Sequence, residues 1–327
     1  MLVSTNRKLL GALVAGCLVA ATAVTSSHAA DETTLRVTVT PGMGSLPFQV
    51  ASKKGFFAKR GIKVEVTAGV DFTAYIQALD KQFDVVMLTT ATTIQAVSAG
   101  ADLKAYAGME ALAKGVYAAP MVTNKPGIES LEDLAKKGGT LAVPRANDLT
   151  RWLMEYYLRQ KGQSVASLNL IAIPFVDMAD QLRAGRVVAA VSAPGYYEPL
   201  LNEGYRVIYE YPKTTLVSAG AELPLVWAHF ASTTKFVDRN PEVVTKFQQA
   251  IEEAAAWINE NKEGALVVYA DWLGKDYKSV KDSTVPAWKT RFTKTDVEAW
   301  LPILKAGDML VRPVDSSSFV PALFAGK

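Results

Sequence analysis

Residues 40–66, TPGMGSLPFQVASKKGFFAKRGIKVEV, decide how the rest of the chain is read. A strand, LRVTVT at 35–40, runs into a loop with two glycines, then a helix, then a second strand beginning at Lys63. A loop at the carboxyl end of a strand and the amino end of a helix offers free backbone N–H groups and the positive end of the helix dipole. Gly42 and Gly44 let a ligand approach the backbone closely, and Ser45 adds a hydroxyl. A dinucleotide fingerprint requires a third glycine where this chain has Pro47, so that reading falls. What remains is either an anion-holding loop or a tight strand-to-helix turn.

Outward from this stretch, short apolar runs alternate with amphipathic segments, the pattern of an α/β chain with largely parallel sheets. KVEVTA and DVVMLTT read as further strands, and residues 47–61 as one helix stopped by Gly61. TAYIQALDKQ is a second helix with Tyr75, Ile76 and Leu79 on one face. The rhythm then returns: TLAVP, a helix LTRWLMEYYLRQKG, LNLIAIP, a helix DMADQLRAG, and RVVAAVSAP. From Leu35 to Val85 is 50 positions and from Leu141 to Val188 is 47, which predicts two lobes of similar topology. The predicted arrangement is lobe 1 from residues 31–123 and 219–327, lobe 2 from 124–218, and two hinge crossings with a cleft between the lobes. Ser130 starts a short helix, and Asn240 caps a longer one with Pro241 in its first turn and a buried stripe of Val244, Phe247, Ile251, Ala254 and Ile258.

Residues 1–30 have the parts of a secretory signal peptide: Arg7 and Lys8, an apolar run at 9–24, and small residues at Ser27 and Ala29. The run is shorter than the ~20 apolar residues of a membrane span. Cleavage is expected after Ala29 or Ala30, which places the mature chain in the periplasm. A lipoprotein reading through Val14-Ala15-Gly16-Cys17 is weaker, because a short apolar segment precedes the cysteine and a long one follows it. Cleavage removes Cys17, the only cysteine, and His28, leaving His229 as the sole histidine. Disulfides, thiolate catalysis and multi-His or Cys zinc sites are thereby excluded from the mature chain. It also removes Arg7 and Lys8 and no acid, which takes the net charge from +3 to about +1. Such a chain has no large basic field for nucleic acid.

The loop that matches residues 41–46 in the second unit is Pro144-Arg145-Ala146-Asn147-Asp148. A guanidinium at a strand's carboxyl end grips carboxylate, sulfonate or phosphate oxygens in a fork. Asn147 and Asp148 are candidates both for ligand contact and for capping the following helix, and Arg151 is a candidate surface cation. Two more strand ends carry hydroxyls, around Thr89 and Thr90 and around Ser192, which either bond ligand oxygens or cap the next helix. Among aromatic residues, Phe48, Tyr196 and Trp227 are candidate cleft walls, although aromatic side chains usually fill cores. His229, in LVWAHFA, is read as a packed residue before a binding one. No GxSxG elbow, P-loop lysine or HExxH is present, and no carboxylates pair convincingly, so no enzyme is predicted.

With these pieces assembled, the chain resembles the solute-binding proteins of ABC-type uptake systems for nitrate, sulfonate, taurine and related compounds. The resemblance is carried in order by LPFQVASKKGFFAKRGIKVEV, ALDKQFDVVML, SAGADLKAYAG, GIESLEDLAKKGGTLAVP, DMADQLRAGRVVAAVSAP, NPEVVTKFQQAI and WLPILKAGDMLVRPVDSSSFV. It implies the α/β periplasmic binding protein type II fold, ligand capture by lobe closure, and delivery to a membrane permease with its ATPase. It implies ligand contacts at Gly44, Ser45, Leu46, Phe48, Thr89, Thr90, Arg145, Asn147, Asp148, Ser192, Tyr196 and Trp227. No cofactor or metal is implied, and a monomer is expected. The expected ligand is a small organic anion, with a taurine-like sulfonate first. Alternatives are an aromatic carboxylate or a neutral heteroaromatic ligand of pyrimidine or vitamin type, and further off a secreted or pyrimidine-synthesising enzyme on the same fold.

Overall fold

The computed structural model describes residues 32–324; the signal peptide and the lipid-attachment reading of Cys17 lie outside the described residues. In chain order the strands begin with β1 (Thr33–Val39), β2 (Ile62–Ala68), β3 (Val85–Thr89), β4 (Lys104–Gly108) and β5 (Glu110–Leu112). Next come β6 (Pro120–Thr123), β7 (Gly139–Val143), β8 (Leu168–Ala172), β9 (Ala189–Val191) and β10 (Arg206–Glu210). The last are β11 (Leu225–Val226), β12 (Ala228–Ser232) and β13 (Ala287–Trp288).

They form two five-stranded sheets, β2-β1-β3-β12-β4 and β8-β7-β9-β6-β10, and a three-stranded one, β11-β5-β13. The two larger sheets follow one plan. β1 pairs parallel with β2 and β3, and β7 pairs parallel with β8 and β9. The fourth strand of each is antiparallel to both of its neighbours: β12 to β3 and β4, β6 to β9 and β10. Each of these antiparallel strands follows a crossing between the sheets: β6 opens the stretch that builds the second sheet, and β12 returns the chain to the first. Residues 120–123, the end of the first segment expected for lobe 1, pair within the second sheet.

Local chemistry explains the elements and one shortening. Helix Leu46–Lys53 starts with Pro47 in its first turn, where a missing N–H costs nothing. The single helix expected up to Gly61 stops at Lys53, since Gly55 adopts φ +74 and turns the chain before one 3-10 turn at Ala58–Arg60. Ser130 caps helix Leu131–Lys137 by accepting from the Asp133 N–H at 3.1 Å. Asn240 does not cap helix Pro241–Glu260 with its side chain. Its Nδ2 donates back to the Phe236 carbonyl at 2.9 Å, closing the preceding helix instead.

The expected stripe of helix Pro241–Glu260 is fully buried, from Val244 to Ile258. It packs under the first sheet with Val37, Val85, Phe48 and Phe230, and each large side chain so buried contributes about 1.5–3 kcal/mol. The largest apolar cluster is continuous across both halves, joining Ala91 and Ile94, Leu141 and Leu153, and the C-terminal Trp300, Ile303 and Leu304. The small sheet is tied to its surroundings by Asp296, wholly buried, which accepts from the Val226 N–H at 2.7 Å and Lys289 Nζ at 2.7 Å. Among the described residues no helix is long and apolar enough to cross a membrane.

Candidate functional site

The parallel strands of both sheets deliver loops at their carboxyl ends, and these loops hold the residues singled out in the sequence. In the first loop Ser45 Oγ donates toward the carbonyls of Thr40 at 2.8 Å and Gly42 at 2.9 Å, and accepts from Gln49 Nε2 at 2.8 Å. Ser45 is wholly buried, and its hydroxyl braces the loop from within rather than facing a ligand. Leu46 and Phe48, also expected to line a ligand, are 0 % exposed. Phe48 packs among Phe57, Phe230 and Phe247 with ring centroids 5.3, 5.5 and 6.4 Å away. The reason is helical geometry, since the first turn of this helix points its apolar side chains into the sheet.

Of this loop only Gly44 reaches a chemically active neighbour. A Cβ there would collide with a carboxylate oxygen of Glu110 on β5 and lie 3.3 Å from its carboxyl carbon. Glu110 is 7 % exposed, and its Oε1 has no hydrogen-bond partner among the described residues. Burial pushes this carboxyl up to about 8, with repulsion from Glu210 adding to it.

The hydroxyl-rich end of β3 is turned to structure. Thr89 caps helix Thr90–Ser98, and its hydroxyl lies 2.8 Å from that of Thr92. Thr90, wholly buried, donates its hydroxyl to the Val226 carbonyl at 2.6 Å and its N–H to the Trp227 carbonyl at 3.0 Å. His229 is buried with Nε2 at 3.0 Å from the Thr93 hydroxyl, and burial pushes it down to about 3, so it stays neutral.

In the second unit Asn147 is the cap of helix Asp148–Arg159, accepting from the Thr150 N–H at 2.8 Å. The Asp148 side chain lies outside the described residues. Arg151 donates to the Leu168 carbonyl at 3.1 Å, a structural contact. Arg145 is exposed, makes no ion pair among the described residues, and lays its guanidinium 4.9 Å from the ring centre of Phe72. Phe72 opens the helix that follows β2, so this contact links the two halves. Ser192 is buried, its backbone N–H donating to Pro120 at 2.8 Å.

Beyond β9 the chain makes a second approach to Glu110's surroundings. Gly195, with φ +90, has its Cβ position 3.4 Å from Ser283 Oγ and 3.8 Å from the Tyr269 hydroxyl. Glu198 accepts from the Gly195 N–H at 2.8 Å, and Tyr197 donates to Thr284 Oγ at 2.8 Å, pinning this loop to the C-terminal third. Tyr269, on helix Lys262–Leu273, is 1 % exposed and its hydroxyl has no partner among the described residues. Its phenol is raised far above the ordinary value by burial, with Tyr196, Glu198 and Glu110 all contributing. Tyr196 is half-buried and stacks on Phe175 at 5.7 Å. Trp227, half-buried, stacks on Trp300 at 6.0 Å, and its backbone N–H donates to the Glu110 backbone carbonyl at 2.8 Å.

Glu210 completes the acidic group. Its Oε1 accepts from the N–H groups of Ala118 at 2.7 Å and Ala119 at 3.2 Å, clamping the crossing between the sheets, while Oε2 has no partner. Lys213 lies 3.9 Å from it and donates to the carbonyls of Ala113 and Val116. The structure thus brings together Gly44, Tyr196 and Trp227 of the expected residues with Gly195 of the expected loop, and adds Glu110, Tyr269 and Glu210, which sequence reasoning missed. A signal for Glu110 was present: it is the one acid in the apolar run AYAGMEAL. Among the described residues no three His, Cys, Asp or Glu side chains gather as a metal site.

Two α/β sheets of the same mixed order, each with an antiparallel fourth strand and joined by two chain crossings, define the type II periplasmic binding protein fold. The chain belongs to the NMT1/THI5-like family, whose model matches residues 43–265. Its fold is similar to that of the periplasmic aliphatic sulphonate binding protein SsuA from Escherichia coli, with a TM-score of 0.69, 18% identity, and 90% of this chain and 94% of that one covered. It is also similar to the alkanesulfonate-binding protein SsuA from Xanthomonas axonopodis pv. citri bound to MOPS, with a TM-score of 0.68, 17% identity, and coverage of 90% and 99%. The periplasmic nitrate-binding protein NrtA from Synechocystis PCC 6803 follows at a TM-score of 0.59 and 16% identity, covering 76% of this chain and 69% of that one. No curated protein matches the chain.

Proposed function

We propose that this chain is an extracytoplasmic solute-binding protein that captures a small organic anion and delivers it to an ABC-type permease and its ATPase. The observation that carries the reading is convergence. Gly44 and Glu110 from the first half meet Gly195 and Tyr196 from the second around Tyr269 and Ser283. Two lobes hold the solute, residues 31–123 with 219–327 and residues 124–218, a division supported by the two separately paired five-stranded sheets. The leader carries the chain to the periplasm, where it acts as a monomer without cofactor or catalysis. Family membership and likeness to sulfonate- and nitrate-binding folds support this role.

The anionic end is assigned to Arg145. It is an exposed guanidinium with no acidic partner among the described residues, at the carboxyl end of β7 beside the amino end of a twelve-residue helix. A sulfonate is the first choice, since its oxygens suit a guanidinium fork. Arg145→Ala is expected to weaken such a ligand by about 1.5–3 kcal/mol, the range for a hydrogen bond to a charged group. Unchanged calorimetric affinity in that variant would overturn the anion grip.

The half-buried aromatic faces of Tyr196 and Trp227 favour a second reading, an aromatic carboxylate or a neutral heteroaromatic ligand. A thermal-shift panel of sulfonates, nitrate, aromatic carboxylates and pyrimidines separates the two, because a ligand that binds only the folded state raises the melting temperature.

A further inference from the structure

Residues 113–119 lead from β5 in the small sheet to β6 in the second large sheet, and residues 219–224 lead back from helix Lys213–Ser218 to β11. Leu112 and Leu225 face one another in the β5–β11 pair, so both passages start from one place. β5 is fixed on the first half: it pairs with β11 and β13, and the Glu110 backbone carbonyl accepts from the Trp227 backbone N–H at 2.8 Å. Past Leu112 the attachment changes. Among the described residues, every hydrogen bond made by 113–119 is to Glu210, Tyr211 or Lys213, on the second half.

The N–H groups of Ala118 and Ala119 donate to Glu210 Oε1 at 2.7 and 3.2 Å, and the Tyr211 N–H donates to the Ala119 carbonyl at 3.0 Å. Lys213 Nζ donates to the carbonyls of Ala113, at 3.1 Å, and of Val116, and lies 5.6 Å from the ring centre of Tyr117. Between those two carbonyls stands Gly115, at φ +77, with open space around the position of a Cβ. A glycine is where a backbone turns most freely, so a cation bonded on either side of it removes that freedom. The Glu210 and Lys213 side chains are 6 % and 14 % exposed. Charges so enclosed are costly unless they are hydrogen-bonded, and the bonds of both go to this one short segment.

We propose that Lys213, braced by Glu210, is the positioning residue of the hinge: it fastens the first passage to the second half, confines bending to the junction of Leu112 and Ala113, and keeps the halves within a narrow range of relative placements. The role belongs to the ligand-free protein and holds whatever the solute is, sharing with the solute-binding reading only the two-lobed construction. Hinges absorb motion at a few loop or element-terminal residues. The Lys213 bond to Ala113 reaches that junction itself, and it favours only those placements in which it survives. A brace that merely satisfied a buried loop would raise stability and leave the spread of placements untouched.

The mature chain from residue 31 contains no cysteine, which permits a pair of spin labels at Val66→Cys on β2 and Val176→Cys on helix Phe175–Arg183. These positions are 39 % and 64 % exposed, one on each half. Pulsed dipolar electron resonance then reads the distribution of distances between the halves in protein stripped of solute. Lys213 as it stands should give one dominant distance, with any second population below about 10%. Lys213→Met keeps the stem and removes the ammonium group, and should raise the second population about tenfold relative to the first, the effect of one charged hydrogen bond. Lys213→Arg, whose guanidinium can donate to both carbonyls, should restore the single distance. Lys213→Gln, a milder change that keeps one donor group, should fall between, and serves if the Met variant does not fold. Lys161→Met, which removes a lysine lying over Tyr157 and bonded to nothing in the passage, should change nothing. Circular dichroism checks that each variant is folded. An unmoved distribution in folded Lys213→Met or Lys213→Gln, an equal spread in Lys213→Arg, or the same spread in Lys161→Met would overturn the hinge role. The solute-binding reading is judged separately by the thermal-shift panel, so either can fail alone.

Discussion

At the scale of single residues, Glu110 and His229 show how burial without a charge partner selects the neutral form. Burial holds the Glu110 carboxyl near 8 against an ordinary 4.5, and His229 near 3 against 6.5. An acid whose folded value is raised favours the fold fully below its unfolded value, and that contribution is lost as pH rises through the folded one. Ligand-free wild-type protein should therefore lose stability relative to Glu110→Gln between pH 4.5 and 8, by roughly 1.4 kcal/mol per pH unit. Urea midpoints of the two proteins at pH 5, 6, 7 and 8 check this. A difference that stays constant across the series would mean that Glu110 has a partner when the protein is free. For His229 the sign reverses: its neutral form supports the fold above 6.5, and that support fades as pH falls toward 3.

At the scale of elements, helix Leu46–Lys53 does two jobs that its sequence superimposes. Its amino end belongs to the loop that faces Glu110, and its body anchors the first sheet through Phe48. Phe48 is fully enclosed by three other phenylalanines, so Phe48→Ala is expected to cost about 3–5 kcal/mol of stability. Chemical denaturation measures it, and a loss below 1 kcal/mol would contradict the packing described. Ligand affinity of the variant, measured well below its unfolding midpoint, should be close to wild type, because this ring faces the core. Ser45 and Thr90 follow the same logic. A hydroxyl at a strand end reads as a ligand donor until the carbonyls around it are known, and here the carbonyls of Thr40, Gly42 and Val226 take it.

At the scale of the whole molecule, the two large sheets share a strand order; the second is built wholly from chain between the two crossings, and the first takes its antiparallel fourth strand, β12, from beyond them. That construction ties the halves through few covalent links, which is what a closing clamp needs. Arg145 over Phe72 and the Gly195 loop on Ser283 are contacts between the two halves. A saturating ligand is thus expected to lower the radius of gyration in small-angle scattering. It should also raise stability by about 2.7 kcal/mol at a hundredfold excess over Kd. Stabilisation with no change in scattering would place the ligand in a site that does not need closure.

Much of this was legible in the chain itself. The strands from LRVTVT to RVVAAVSAP, the buried stripe from Val244 to Ile258 and the cap at Ser130 follow from periodicity and from short-range hydrogen bonding, which neighbouring residues alone decide. The strand-end loops were also found, because loops after parallel strands are set by the strand-to-helix rhythm. Which way a side chain points from such a loop was not legible, as Ser45, Phe48 and Asn240 demonstrate. Nor was the gathering of Glu110, Glu210 and Tyr269, which lie 100 and 159 positions apart from Glu110 along the chain and meet only when both sheets are assembled. Sequence by itself determined most of the elements and their strand-to-helix rhythm, since local sterics and apolar spacing act over a few residues. Tertiary structure alone decided which polar groups are left without a partner, because that depends on every atom that packs around them.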